Sequence, residues 1–189
     1  LPRSACAWWV PPARLTDTPV ASADLAAAML APTERRDLST ALITLCIGAG
    51  VTLEAAWDVL AQRHPELTEM WLRFASPPVR HAGTMGGNLA NGSPIGDGAP
   101  VLMALDATIV LQRGARERRM KLDAVYLDYM KSALEPGEFV RAVELPPPSF
   151  SALRAYKLSK RFDSDISGLA CGLAIALDAQ GTVTAARLA

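Results

Sequence analysis

Apolar positions recur with a helical period through the first half of the orderly part of the chain. Leu53, Ala56, Trp57 and Leu60 share one face of a segment that Thr52 can cap, which predicts a helix to about Gln62. Pro65 opens a second helix, with Leu67, Met70, Trp71 and Phe74 on one stripe, and Pro77-Pro78 is expected to end it. Asp97 to Leu105 reads as a further helix and Leu122 to Tyr129 as a short one. Strand-like runs alternate with these. They are Thr40 to Ile47, Ala107 to Gln112, Arg119 to Leu122, Phe139 to Leu145 and Ser151 to Leu158. Leu169 to Leu177 and Thr182 to Leu188 read as a hairpin around Asp178-Ala179-Gln180-Gly181. Pro146-Pro147-Pro148 is a stiff connector between a mixed part and a small sheet-based part. The pattern as a whole is α+β.

Before position 46 the pattern fails. Leu1 to Pro19 has no clean period, although Ser22 could cap a short helix through Leu30. The first glycine is Gly48, and six of the 13 glycines fall between Gly83 and Gly98. Charge adds little, because 19 basic residues balance 19 acidic ones. That balance argues against a nucleic-acid binder working through a basic face, and against a polybasic membrane anchor. The longest apolar runs are too short to span a bilayer as a helix. Cys6, Cys46 and Cys171 stand too far apart for a CxxC site, so a reduced, cytoplasmic protein is expected. His64 and His81 show no metal-ligand spacing, and His64 is expected at the surface of a helix end.

The chemistry concentrates in Arg80-His81-Ala82-Gly83-Thr84-Met85-Gly86-Gly87-Asn88-Leu89-Ala90-Asn91-Gly92-Ser93-Pro94-Ile95-Gly96-Asp97. Adjacent glycines let a backbone approach a ligand, and N–H groups in such a turn can converge on a phosphate oxygen. Thr84, Asn88 and Ser93 add neutral side-chain donors, and Asp97 is an acceptor suited to a ribose hydroxyl or a ring N–H. There is no Gly-Lys-Ser/Thr ending, so this is not a P-loop. Read by spacing alone, the stretch is as compatible with a glycine-rich surface loop as with a binding loop.

The full string closely resembles the second nucleotide-binding loop of the FAD domain in the xanthine dehydrogenase family of molybdenum hydroxylases. The resemblance continues in Ile47-Gly48-Ala49-Gly50-Val51-Thr52, Phe74-Ala75-Ser76, Asp128-Tyr129, Pro136-Gly137-Glu138-Phe139-Val140 and Tyr156 to Ser167, so that it covers residues 47–189. It implies a partial FAD-binding domain of the PCMH (vanillyl-alcohol-oxidase) type, followed by the start of a small sheet-and-helix C-terminal lobe. It assigns FAD contacts to Thr84, Gly86, Gly87, Asn88, Ser93 and Asp97, and places Phe74 and Ala75 beside the ring systems. Val140 would pack by the isoalloxazine, and Lys157 would stand near the flavin pyrimidine edge. Arg161, Asp163 and Asp165 would lie in a loop beside the flavin. No acid–base catalytic residue is implied.

The activity implied is electron transfer. A molybdopterin-binding large subunit oxidises a purine, a 2Fe–2S domain carries the electrons to FAD, and NAD accepts a hydride. Molybdopterin and the clusters would belong to domains or partners outside this chain. Related flavoprotein subunits of carbon monoxide dehydrogenase or aromatic-CoA reductase type are the alternative. Asn91 to Asp97 and Lys160-Arg161 favour the xanthine type. A first glycine-rich loop is expected before Ile47 and none is there. Residues 1–46 are therefore expected as an atypical segment replacing the first FAD-binding lobe, 47–147 as its second lobe, and 148–189 as a truncated C-terminal flavoprotein domain. Codons for Ala7 to Pro12 can be read one frame over as Leu-Val-Gly-Ala-Thr, with the second and third residues forced, a likeness of the absent loop that a shifted frame or a mis-called start would explain. A non-catalytic remnant without FAD is the reading from a different class.

Overall fold

The computed structural model describes residues 43–129 and 131–189. The expectations for residues 1–46 thus lie outside the described residues, except at the last four positions. Strand β1 (Leu45–Gly48) leads through a tight turn into α1 (Leu53–Arg63), whose first turn is capped by the Thr52 hydroxyl accepting from Ala55 N at 3.3 Å. A 3₁₀ turn (Pro65–Leu67) and α2 (Thr68–Arg73) follow. Next come α3 (Pro77–Ala82), α4 (Met85–Asn91) and α5 (Gly98–Ala104). The remaining strands are β2 (Thr108–Arg113), β3 (Arg116–Lys121), β4 (Tyr126–Asp128), β5 (Lys131–Ser132), β6 (Phe139–Leu145), β7 (Ala152–Leu158), β8 (Leu169–Leu177) and β9 (Val183–Leu188).

Three sheets result. The first is four-stranded and antiparallel, in the order β1-β6-β2-β3, with Ile47 opposite Val143 and Ile109 also opposite Val143. The second is the β4-β5 hairpin. The third is β7-β8-β9, reached through the extended residues 146–150. Helix α4 packs on β1 and β6 of the first sheet, α5 packs on β8 and β9 of the third, and α1 shares the same core. Ile47, Trp57, Leu60, Leu89, Leu102, Ile109 and Leu111 are fully buried between them. Each such side chain contributes about 1.5–3 kcal/mol relative to exposure, which is what holds short helices of weak propensity in place.

Four local expectations are corrected. Pro77-Pro78 does not end a helix but occupies the first two positions of α3, where a missing N–H costs nothing. The helix before it stops at Arg73, and Ala75 turns the chain with a φ of 48°. That left-handed alanine costs about 1 kcal/mol. It is held there by Arg80, a buried side chain that donates to Phe74 O at 2.8 Å and pairs with Glu54. The glycine cluster is mostly helix rather than loop. Residues 122–129 form one 3₁₀ turn and strand β4, not a helix.

The segment leading into β6 is fixed by charge. Arg118 donates twice to the Glu138 carboxylate, at 2.6 and 3.1 Å, and once to Ala133 O at 2.9 Å. With Glu135 N also donating to it, the Glu138 carboxyl is pulled down to about 2.

His64 corrects the fourth expectation. It caps the C-terminus of α1 at only 6% exposure, with its ring centroid 5.5 Å from that of Phe150. Burial pushes the imidazole below its ordinary 6.5, Arg63 adds to this, and Glu66 opposes it. The folded chain therefore favours neutral His64. Its contribution to stability is full above the ordinary value and is lost as the pH falls below it. Replacing His64 by leucine is expected to reduce the drop in melting temperature between about pH 7.5 and about pH 5.5. An undiminished drop in thermal scans at the two pH values would assign the effect to other groups.

Candidate functional site

The glycine-rich segment begins where three elements meet. Thr84 caps α4, its hydroxyl oxygen accepting from Gly87 N at 3.1 Å, and it forms an isolated bridge with Thr52. Met85 N donates to Val51 O at 2.8 Å and Gly86 N to Ala49 O at 2.9 Å, so the start of α4 is bonded directly to the turn after β1. Asn88 N donates to Thr84 O at 2.9 Å. The four N-terminal N–H groups of α4 are thus all satisfied inside the protein. The expectation that they converge on a phosphate is replaced by a different reason for glycine. A β-carbon at Gly86 would lie 2.3 Å from the Ala49 side chain, so glycine is what admits the close approach of helix and turn. Gly87 is exposed.

The far end of the segment carries the polar chemistry. Asp97 precedes α5 and is 5% exposed. Lys157, near the end of β7, is 6% exposed and donates to Asp97 Oδ2 at 2.7 Å. Ser167 donates to the other oxygen, Oδ1. Two residues expected at the cofactor therefore hold each other, across the boundary between the α5 region and the third sheet. Lys157 has three N–H donors, and Asp97 is its one acceptor among the described residues. Two N–H groups of this nearly buried ammonium meet no acceptor among the described residues.

Phe74 and Asn88 close in beside this pair. A β-carbon at Gly98 would lie 2.8 Å from Asn88 Oδ1 and 3.7 Å from the Phe74 ring, so glycine there admits the close approach of both side chains. The half-buried Asn88 amide makes no hydrogen bond among the described residues. Phe74 is backed by the fully buried Trp57, with ring centroids 5.2 Å apart. Phe74, Asn88, Asp97 and Lys157 thus converge, with Ala75 in the strained turn beside Phe74. Thr84, Gly86 and Gly87 lie at the start of the same helix as Asn88. Val140 instead sits in the core of the first sheet, opposite Leu111 on β2.

Ser93 faces elsewhere. It lines a cavity of about 370 Å³ together with Asn91, Gly96, Tyr126, Tyr129 and Lys131. Tyr126 is anchored by donating to Leu89 O at 2.9 Å, and burial pushes its phenol up to about 12. Tyr129 is 76% exposed at the tip of the β4-β5 hairpin. Sequence reasoning missed Gly98, Arg80, Ser167 and this hairpin. Arg80 and Ser167 stand at the ends of the two motifs quoted above, and Gly98 follows the first of them directly.

The loop between β7 and β8 is tied to the first part of the chain at both ends. Arg73 donates to Ser159 Oγ at 3.2 Å and lies over the Phe162 ring, 4.7 Å from its centroid. Asp97 holds Ser167. Within the loop, Asp165 accepts from Arg161 N at 2.7 Å and Ile166 N at 3.0 Å, which lowers its carboxyl. Arg161 and Asp163 are exposed.

Among the described residues, no helix is long and apolar enough to cross a membrane, and no three His, Cys, Asp or Glu side chains cluster as metal ligands.

Known proteins resemble this chain in sequence and in fold. Residues 33–148 match the family described as the FAD binding domain in molybdopterin dehydrogenase. The chain is 38% identical to the nicotinate dehydrogenase FAD-subunit of Eubacterium barkeri over 116 residues, which cover 59% of this chain and 39% of that one. It is 33% identical to the carbon monoxide dehydrogenase medium chain of Afipia carboxidovorans over 141 residues, 74% of this chain and 49% of that one. It therefore spans less than half the length of either subunit. A solved Cu,Mo-CO dehydrogenase superposes with a TM-score of 0.68 at 28% identity, covering 82% of this chain and 53% of that chain. Quinoline 2-oxidoreductase from Pseudomonas putida 86 superposes with a TM-score of 0.65 at 27% identity, covering 77% and 50%.

Proposed function

Since this chain belongs to the FAD binding domain family of molybdopterin dehydrogenases, we propose that the place between α4, α5 and β7 where Phe74, Asn88, Asp97 and Lys157 converge is the cleft that holds the flavin of a multi-subunit oxidoreductase. FAD supplies the two-electron redox chemistry when bound. The observation that carries the reading is Lys157. Its ammonium is oriented by Asp97, has two N–H groups without an acceptor among the described residues, and would offer them to the carbonyl edge of a flavin. A fixed cation there stabilises negative charge as a ring is reduced, at no cost of reorganisation. Phe74 would present an apolar face that excludes water. Thr84 and Asn88 would supply side-chain donors to phosphate or ribose in place of the engaged backbone of α4. Gly87 would allow close approach at the helix start.

The partners follow from the same reading. Electrons would arrive from a 2Fe–2S domain that serves a molybdopterin-binding large subunit, and NAD would accept them. The cavity beside Tyr129 supports a second nucleotide. It offers an exposed ring for stacking, Lys131 for phosphate, and Asn91 and Ser93 as neutral donors. The relatives are named for nicotinate, carbon monoxide and xanthine. Of these we favour the xanthine type on the Asn91 to Asp97 and Lys160-Arg161 motifs, in a cytoplasmic enzyme.

The test is direct. The purified chain is mixed with FAD, desalted, and its absorbance and fluorescence are recorded. Retained yellow colour with quenched fluorescence is expected, and Gly87→Asp should abolish it. Anaerobic NADH should then bleach the bound flavin. A colourless protein after desalting overturns the flavin reading and favours a remnant that holds no cofactor. A yellow protein that NADH leaves oxidised overturns the choice of acceptor alone.

A further inference from the structure

Asp97 is the one acceptor of Lys157 among the described residues, and Asp97 is itself not free to move. Its Oδ1 accepts the Ser167 hydroxyl while Oδ2 accepts Lys157 Nζ. A carboxylate held at one oxygen can swing about its own side-chain bonds. Held at both, it has one orientation, and so has the ammonium bound to it. Ser167 lies at the end of the loop that Arg73 ties at its start. The hydroxyl therefore connects the position of that loop to the direction of a buried charge.

We propose that Ser167 is a positioning residue for Lys157, acting through Asp97, and that it couples the loop of residues 159–168 to whatever occupies the cleft. The coupling to an occupant rests on the flavin reading above. The positioning of Lys157 does not, since all three side chains meet without a ligand. Ser167 needs no contact with the cofactor for this role. Without its hydroxyl, Asp97 gains a second orientation, and Lys157 directs its spare donors less often at the cleft. A hydrogen bond to a charged group is enough to shift such a balance about tenfold.

The experiment has two readouts. In flavin-free protein, reductive methylation followed by mass spectrometry gives the labelling rate of Lys157 relative to the exposed Lys160. In flavin-loaded protein, fluorescence quenching gives the FAD dissociation constant. Ser167→Ala is expected to speed the labelling of Lys157 several-fold and to raise the dissociation constant about tenfold. Ser167→Thr, which keeps the hydroxyl, should restore both. In a Lys157→Gln background, Ser167→Ala should leave the dissociation constant unchanged, because there is no ammonium left to orient. An effect of full size in that background would mean that Ser167 acts on the cofactor directly, and overturns the proposal. So would unchanged labelling and affinity in Ser167→Ala at an unchanged melting temperature. Faster labelling in a protein that binds no FAD even as wild type would uphold the positioning of Lys157 and overturn the flavin reading and the coupling to it.

Discussion

Gly86→Ala detaches α4 from β1. The new β-carbon would lie 2.3 Å from Ala49 Cβ and 2.9 Å from its Cα, and a main chain cannot yield as the tip of a side chain can. Relief requires the helix to lift, which breaks the bonds from Met85 N and Gly86 N to Val51 O and Ala49 O. The expected loss is about 3 kcal/mol or more, from overpacking together with two lost hydrogen bonds. Gly87→Ala is the control. There a β-carbon meets only the Thr84 hydroxyl, at 2.9 Å, and the cost should be that of a weakened helix cap, about 1 kcal/mol. Urea unfolding of the two variants reads the difference. Equal midpoints would show that the helix start is not clamped to the turn.

Lys157→Met is the second large effect. It leaves the Asp97 carboxylate nearly buried, with a single hydroxyl as side-chain partner. Breaking a buried pair on one side costs about 3–5 kcal/mol, because the remaining charge has lost its water and its counter-ion. The double change Asp97→Leu with Lys157→Met removes both charges and should recover most of that loss. Stability and cofactor retention should then part company. The double variant folds well but no longer keeps FAD on desalting, since the group proposed to meet the flavin is gone. A Lys157→Met variant as stable as wild type would mean that Asp97 finds water or another partner. Retention of FAD by the double variant would remove Lys157 from the site.

These residues also show where sequence reading stops. Strand β6 is legible from apolar residues interrupted by Arg141 and Glu144, β8 from an apolar run that ends at the Asp178-Ala179-Gln180-Gly181 turn, and α1 from one capped face. The glycine cluster is legible as a binding motif by its resemblance, while its local structure is not. Adjacent glycines argue for a loop by propensity, yet α4 forms because tertiary bonds to Ala49 and Val51 override that weak preference. Pro77-Pro78 reads equally well as the end of one helix or the start of another, and the strained Ala75 decides it. Asp97 and Lys157 each carry a readable charge, but their pairing spans 60 positions and depends on how the third sheet docks. His64 reads as polar and therefore exposed. It is buried because the segment at Phe150, more than eighty positions on, packs over it.

Gly172 on β8 sets a dimension that none of these side chains can change. A β-carbon there would lie 2.6 Å from Pro100 O and 2.9 Å from Val101 Cα, so the third sheet rests main chain against main chain on α5. Where side chains separate two elements, repacking lets them slide. A joint between two backbones has no such slack. The spacing of α5 and the third sheet is therefore a gauge machined into the polypeptide itself. Under the flavin reading, that spacing would set the size of what enters, and the few side chains on either wall its chemistry.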